Sequence, residues 1–171
     1  RPSVFELSRV WSDLPYLLIG IPLAMGLTFG AFGLGTIMAL PMAVVRMARP
    51  PVINAVVVGW IEFFRTTPPL VHIMWAYYVL PMVIDLRLSA VTVVIVALGA
   101  NASAQMAEIF RAGLQSIPRG QTEAAKVLGL SPWARLRYVI LPQAVRLIMA
   151  PSVNAFVSLL KESSLAALIA V

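Results

Sequence analysis

The sequence has no cysteine and a single histidine, His72. The first absence excludes a disulfide framework, a thiol nucleophile and a thiolate metal site. The second excludes a multi-histidine metal cluster, and no metal site is expected. Charge is scarce too: 12% of the 171 residues are charged, against 60% hydrophobic. Soluble domains carry roughly 25% charged and 45–50% apolar residues, so an ordinary soluble domain is excluded. The only lysines, Lys126 and Lys161, follow Ala125 and Leu160. No G-K-[ST] phosphate loop exists, and the chain is not an ATPase. What is plentiful fits a membrane: 13 prolines and 10 glycines, which membrane helices tolerate better than soluble ones. The net charge of +6 sits between apolar runs, as in the loops of a membrane protein, so a lipid bilayer and not nucleic acid is the expected surroundings.

Four apolar regions predict four membrane spans, at about 14–45, 52–82, 88–107 and 139–160. Asp13 and Arg46 bracket 32 uncharged residues, about 48 Å of helix against roughly 30 Å of hydrocarbon. That helix must tilt, bend or project into water. Pro22, Pro41 and Gly20, Gly26, Gly30, Gly33 and Gly35 give it places to bend or to admit a close neighbour. The second region is apolar except for Glu62, Arg65 and His72. Glu62 and Arg65 are three apart and share a helix face, where they are expected to neutralise each other in part. Pro68-Pro69 interrupts the helix just after them. The third run suits one span. The fourth is broken only by Gln143, Arg146 and Asn154, and ends at Lys161-Glu162.

With four spans, one side of the membrane collects Arg46, Arg49, Arg111, Arg119, Lys126, Arg135, Arg137 and Arg146. The other holds Arg1, Arg9, Arg87 and Lys161. This split of eight to four predicts an N-terminus outside and residues 108–138 in the cytoplasm. The first apolar run is far longer than a signal-peptide core. The sequence begins without Met and ends in a nine-residue charge-free stretch from Ser163, too short to span, so it is expected to be trimmed at both ends.

Residues 116–142 read as two short helices and a hinge. Ser116 is a candidate N-cap, with Pro118 in the first turn. Glu123, Ala124, Ala125 and Lys126 are strong helix formers. Gly129 occupies the position where a left-handed residue ends a helix. Ser131-Pro132 opens a second helix, which Pro142 is expected to break or kink at the membrane edge. A short apolar-faced helix of this kind, with Leu130 beside the hinge, should dock into something.

The pattern of Glu123-Ala124-Ala125, three residues, Gly129, nine residues and Val139-Ile140-Leu141-Pro142 resembles the EAA loop of binding-protein-dependent ABC importer permeases, with Val139 in the usual Ile position. Ile61–Ile73, Ala107–Gln121 and Leu141–Val171 are similar to the other signature runs of the polar amino-acid subfamily. The resemblance covers about residues 14–171. The sequence departs at Thr66 (usually Gly), Pro69 (Leu), His72 (Gln) and Gln105 (often Tyr). The resemblance implies an all-α polytopic bundle of the type I importer kind, whose usual fifth span is expected to be missing from this sequence. It implies a multi-pass permease subunit of the bacterial inner membrane, transporting a polar amino acid or related solute. The implied partners are ABC ATPase subunits that bind ATP and Mg, a second permease subunit and a solute-binding protein. Glu123, Ala124, Ala125, Gly129 and Leu130 become the expected ATPase-coupling residues.

Asn101, Gln105 and Glu108 lie at offsets of zero, four and seven on one helix face. A polar stripe on a spanning helix faces the bundle interior or a wet cavity. Together with Glu62 and Arg65 it is the candidate substrate pathway; the competing reading is helix–helix hydrogen bonding with an interfacial Glu. Arg146 and Lys161-Glu162 read as snorkelling anchors. The rival functions are an intramembrane enzyme and a self-sufficient channel. The first would need a catalytic pair the spans do not carry, since Asp13 and Asp85 lie outside them and no G-x-S-x-G occurs. The second would have no use for a docking loop. No catalytic residue is expected.

Overall fold

The computed structural model describes residues 7–85 and 88–169. Arg1 and Arg87, two of the basic residues counted for orientation, lie outside these. Helix α1 (Leu7–Ala48) is continuous through Pro22 and Pro41. It stops at Arg49, whose φ of 54° is left-handed; the right-handed helical region is disfavoured for a residue preceding a proline, here Pro50. Helix α2 (Pro51–Thr66) starts on a proline, where a missing N–H costs nothing. The second region, 52–82, is interrupted at the proline pair, as its sequence predicts. Pro68 and Pro69 end α2, and α3 (Pro69–Met74) continues through a π turn at Trp75–Val79 into α4 (Leu80–Ile84).

Helix α5 (Ala90–Gln115) opens with Ser89, whose hydroxyl accepts from the Thr92 N–H at 3.2 Å. It runs two turns beyond the apolar stretch that predicted it, taking in Glu108 and Arg111. That extension removes Ser116 from its expected role. Ser116 ends α5 and donates its hydroxyl to the Gly113 carbonyl at 2.8 Å, while Pro118 precedes α6 (Arg119–Val127). The hinge leads to α7 (Pro132–Arg135), a π turn at Leu136–Ile140, α8 (Leu141–Glu162) and a 3₁₀ segment, Ser163–Ile169. Among the described residues, Gly20–Ala48, Ala90–Gln115 and Pro132–Ala167 are long and apolar enough to cross a membrane, with a shorter apolar helix at Pro69–Val83.

Pro142 neither breaks nor ends its helix. A proline inside a helix lacks a donor and strikes the carbonyl four residues back. In both places where this occurs next to a π turn, the wider turn stands just before the proline. Leu80 N–H reaches back to the Trp75 carbonyl ahead of Pro81, and Leu141 N–H to that of Leu136 ahead of Pro142. The bulge carries the chain past the carbonyls of Tyr77 and Tyr138 and keeps the helix going.

The centre of the bundle is α5, packed along α1 and flanked by α2, α3 and α8. Close approach depends on small residues, as is common between membrane helices. A Cβ on Gly35 would stand 2.6 Å from Ala102 Cβ and 2.8 Å from the Gly99 carbonyl oxygen. One on Gly99 would strike Leu34, and one on Gly113 would strike Ile148 of α8. Of the other α1 glycines, Gly30 meets Ile95, whereas Gly20, Gly26 and Gly33 have nothing within 4 Å. Leu27, Ala31, Ile73, Val94, Leu98 and Leu159 fill the core around them. Large apolar side chains outside it, such as Ile37, Val56 and Met82, are exposed, the pattern of a surface that faces lipid or another membrane chain.

Candidate functional site

The stripe on α5 is held in place by hydrogen bonds. Asn101 is 3% exposed and donates its side-chain N–H to the Phe64 carbonyl at 2.9 Å. In a continuous α2 that carbonyl would accept from residue 68, which is Pro68 and has no N–H. Asn101 therefore satisfies an acceptor that the helix break orphans. Its own Oδ1 accepts from Gln105 Nε2 at 2.9 Å. One turn away, Trp60 Nε1 donates to Ser103 Oγ at 3.1 Å, a second tie between α2 and α5.

Glu108 sits between two guanidinium groups. Its Oε1 accepts from Arg46 Nε at 3.2 Å and its Oε2 from Arg111 Nε at 2.9 Å. Arg46 also reaches Asn54 Oδ1 at 3.4 Å. One carboxylate thus fastens α5 to α1, and through Arg46 to α2. This half-buried cluster carries one more positive than negative charge. Glu62 and Arg65, expected to neutralise each other, make no ion pair with each other; both are exposed.

Asn101, Gln105, Glu108 and Arg111 line one cleft of about 1110 Å³. Arg65 and the Pro68-Pro69 break form another wall, and Glu162 of α8 a third. The cleft brings together four of the five candidate pathway residues; Glu62 is not among those lining it. Along α5 it runs from Asn101 to Ser116, about 22 Å of helix. Glu162 was expected to be an anchor reaching for water. Instead it is partly buried in the cleft, and its Oε2 is buried without a hydrogen-bond partner among the described residues. Lys161 and Arg146 are exposed. His72 is buried against Phe63 and Phe64, with ring centroids at 5.3 and 4.6 Å. Both its nitrogens lack hydrogen-bond partners among the described residues. Among the described residues no cluster of His, Asp or Glu could hold a metal ion.

The loop between α5 and α8 has the hinge its sequence predicts. Gly129 has φ +73°, and its N–H bonds the Lys126 carbonyl at 2.9 Å while Leu130 N–H bonds that of Ala125 at 3.1 Å. This is the paired closure of a left-handed helix end. Ser131 Oγ accepts from Ala134 N–H at 3.2 Å, capping α7. Of the expected coupling residues, Glu123, Ala124 and Gly129 are exposed, Leu130 is partly buried, and Ala125 is buried at 2%. Adjacent helical residues point about 100° apart, so Ala124 and Ala125 do not share a surface. Around them stands an apolar patch that the motif alone does not mark: Val127 is 88% exposed, Leu128 77%, Trp133 71% and Tyr138 75%.

The family profile described as binding-protein-dependent transport system inner membrane component matches residues 31–171. The glutamine transport system permease protein of Escherichia coli K12 is 35% identical over 162 residues, covering 94% of this chain and 74% of that protein. A probable amino-acid ABC transporter permease protein of Bacillus subtilis 168 is 34% identical over 168 residues, covering 98% and 74%. A crystal structure of an amino acid ABC transporter with histidines superposes with a TM-score of 0.88 at 34% identity, covering 99% of this chain and 78% of that one. The chain belongs to the family of binding-protein-dependent inner-membrane transport components. It is a multi-pass permease subunit of an ABC importer and not a catalytic chain; ATP hydrolysis falls to a separate partner.

Proposed function

We propose that this chain carries a polar amino acid across the inner membrane through the cleft beside α5. The observation that carries the reading is the cleft itself. It runs beside the C-terminal part of a spanning helix, and its lining includes an amide pair and four charged side chains. Polar and ionisable groups at membrane depth are costly and mark pathways for polar cargo. Relatives named for glutamine and for octopine, and a related transporter crystallised with histidines, support an amino acid as that cargo.

Residues 116–142 face the cytoplasm in this reading. The patch of Val127, Leu128 and Trp133, with Glu123 and Ala124 beside it, seats on an ATPase subunit that holds ATP and Mg. Gly129 sets the angle at which α6 leaves the membrane end of the bundle. A second permease subunit closes the open side of the cleft, and a solute-binding protein delivers from the opposite face. Two measurements test the arrangement. Cysteines placed at Gly120 and Asp85 label from opposite sides, position 120 from the cytoplasm. The subunit also co-purifies with an ATPase, and Trp133→Glu abolishes that association. Labelling of both positions from outside, or a stable subunit that never binds an ATPase, contradicts the reading and returns the channel alternative.

A further inference from the structure

A separate cavity of about 590 Å³ lies between α2, α3 and α5, within the size range of small-molecule sites. Trp60, Phe63, Phe64 and Trp75 supply aromatic walls, and the small Ala97 and Ala100 of α5 leave it room. Phe63 and Trp75 are exposed on the outside of the bundle, so a molecule dissolved in the bilayer reaches the cavity from the side. Phe64 and Thr67 line both this cavity and the cleft. They are the wall between the two, at the point where Pro68-Pro69 breaks the helix.

His72 lines the same cavity. It is 8% exposed, and neither ring nitrogen has a hydrogen-bond partner among the described residues. A neutral imidazole carries one N–H donor and one acceptor nitrogen. Unpaired in apolar surroundings, both are costly unless something that binds there pairs with them. Nearby polar groups are already satisfied. Trp60 gives its indole N–H to Ser103, and Asn101 gives an amide N–H to the Phe64 carbonyl. The cavity therefore offers aromatic faces and one unused hydrogen-bonding side chain, and its lining carries no carboxylate, lysine or arginine.

We propose that this cavity binds a neutral aromatic amphiphile from the bilayer, its ring among the aromatic side chains and its hydroxyl or N–H group bonded to His72. Offset and edge-on ring contacts favour a flat ligand. A charged one is excluded by the cost of unpaired charge at membrane depth. An occupant presses on Phe64 and Thr67, steadies the end of α2 and slows the ATP-driven cycle. The site lies outside the cleft and does not depend on which solute the cleft carries.

The test uses the assembled complex of permease and ATPase in nanodiscs, with fluorotryptophan in the permease. Fluorine NMR follows Trp60 and Trp75, each assigned by its Phe variant. The probes are naphthol, naphthalene and naphthoate, which share a ring system and differ in the polar group. Naphthol is expected to shift both resonances saturably and to bind about tenfold more tightly than naphthalene, the worth of a hydrogen bond at a buried group. Naphthoate leaves both resonances in place. His72→Leu removes the advantage of naphthol over naphthalene. His72→Gln keeps a donor and an acceptor and retains part of it. Val96→Phe narrows the cavity from its edge and weakens both compounds. Naphthol slows ATP hydrolysis at the concentrations that saturate the shifts, and the His72→Leu complex needs about tenfold more. The absence of a saturable shift overturns the inference. So does equal binding of naphthol and naphthalene to the wild-type complex, a comparison that decides even where His72→Leu does not assemble. A naphthol advantage that survives His72→Leu, or bound naphthol that leaves hydrolysis unchanged, overturns it as well.

Discussion

Asn101 donates a side-chain N–H to the Phe64 carbonyl at 2.9 Å, closing the gap that Pro68 leaves in the hydrogen-bond ladder of α2. A sequence stripe that looks like a pathway is thus, at its first member, also the tie that holds a broken helix against its neighbour. Leaving a buried carbonyl unpaired costs about 1–3 kcal/mol. Asn101→Ala is expected to lower the melting temperature of the detergent-purified complex by several degrees. Adding Pro68→Ala restores a backbone donor at position 68 and is expected to recover part of the loss. No change in melting for Asn101→Ala would show that the bond is dispensable.

The contact between α1 and α5 gives a matched pair of glycine tests. A methyl group on Gly35 meets Ala102 Cβ at 2.6 Å and backbone atoms of α5 below 3 Å. Backbone cannot yield as a flexible side chain can, so the helices must separate, at about 1–3 kcal/mol or more. Gly33 has open space. Gly35→Ala is expected to reduce the yield and melting temperature of the assembled complex, and Gly33→Ala to leave both unchanged. Equal behaviour of the two variants would contradict the close packing.

Gly129 isolates a backbone effect from a steric one. Nothing lies within 4 Å of where its Cβ would be, yet its φ is +73°. A β-branched residue is strongly disfavoured there, while Asn tolerates the left-handed region. Gly129→Val is expected to insert into the membrane but lose ATPase association or transport, and Gly129→Asn to retain most of both. Wild-type transport by Gly129→Val would remove the hinge argument.

Glu108 joins α5 to α1 through Arg46 while pairing with Arg111 on its own helix. Removing its charge leaves two guanidinium groups facing each other in a partly buried place. Glu108→Gln is expected to destabilise the complex, measured by detergent-dilution half-life, and to leave the order of amino-acid preference unchanged. A reordered preference with undiminished stability would make Glu108 a substrate contact in place of a fastener.

Helical spans and the hinge at Gly129 are legible in the sequence because each has a local cause. Charge-free runs give the spans, and a glycine after strong helix formers gives the left-handed stop. The end of α5 is not legible in that way. Glu108, Arg111 and Gln115 look like loop residues until Arg46, 62 positions earlier, is seen to donate to Glu108 across the bundle. Glu62 and Arg65 fail for the converse reason: spacing of three allows a pair but does not require one. Ser116 has the composition of an N-cap, and the helix before it simply continues. Glu162, beside Lys161 at a helix end, has the signature of an anchor. Only the packing of α2 and α8 around one cleft shows that it turns inward.

ATP hydrolysis in proteoliposomes containing permease, ATPase and binding protein, measured across the common amino acids, tests whether this subunit couples amino-acid passage to a separate ATPase. One polar amino acid or a small group is expected to stimulate hydrolysis severalfold, and Gly129→Val to abolish the stimulation. Hydrolysis that responds to no amino acid, or solute flux that persists when the ATPase is left out, would contradict this coupling.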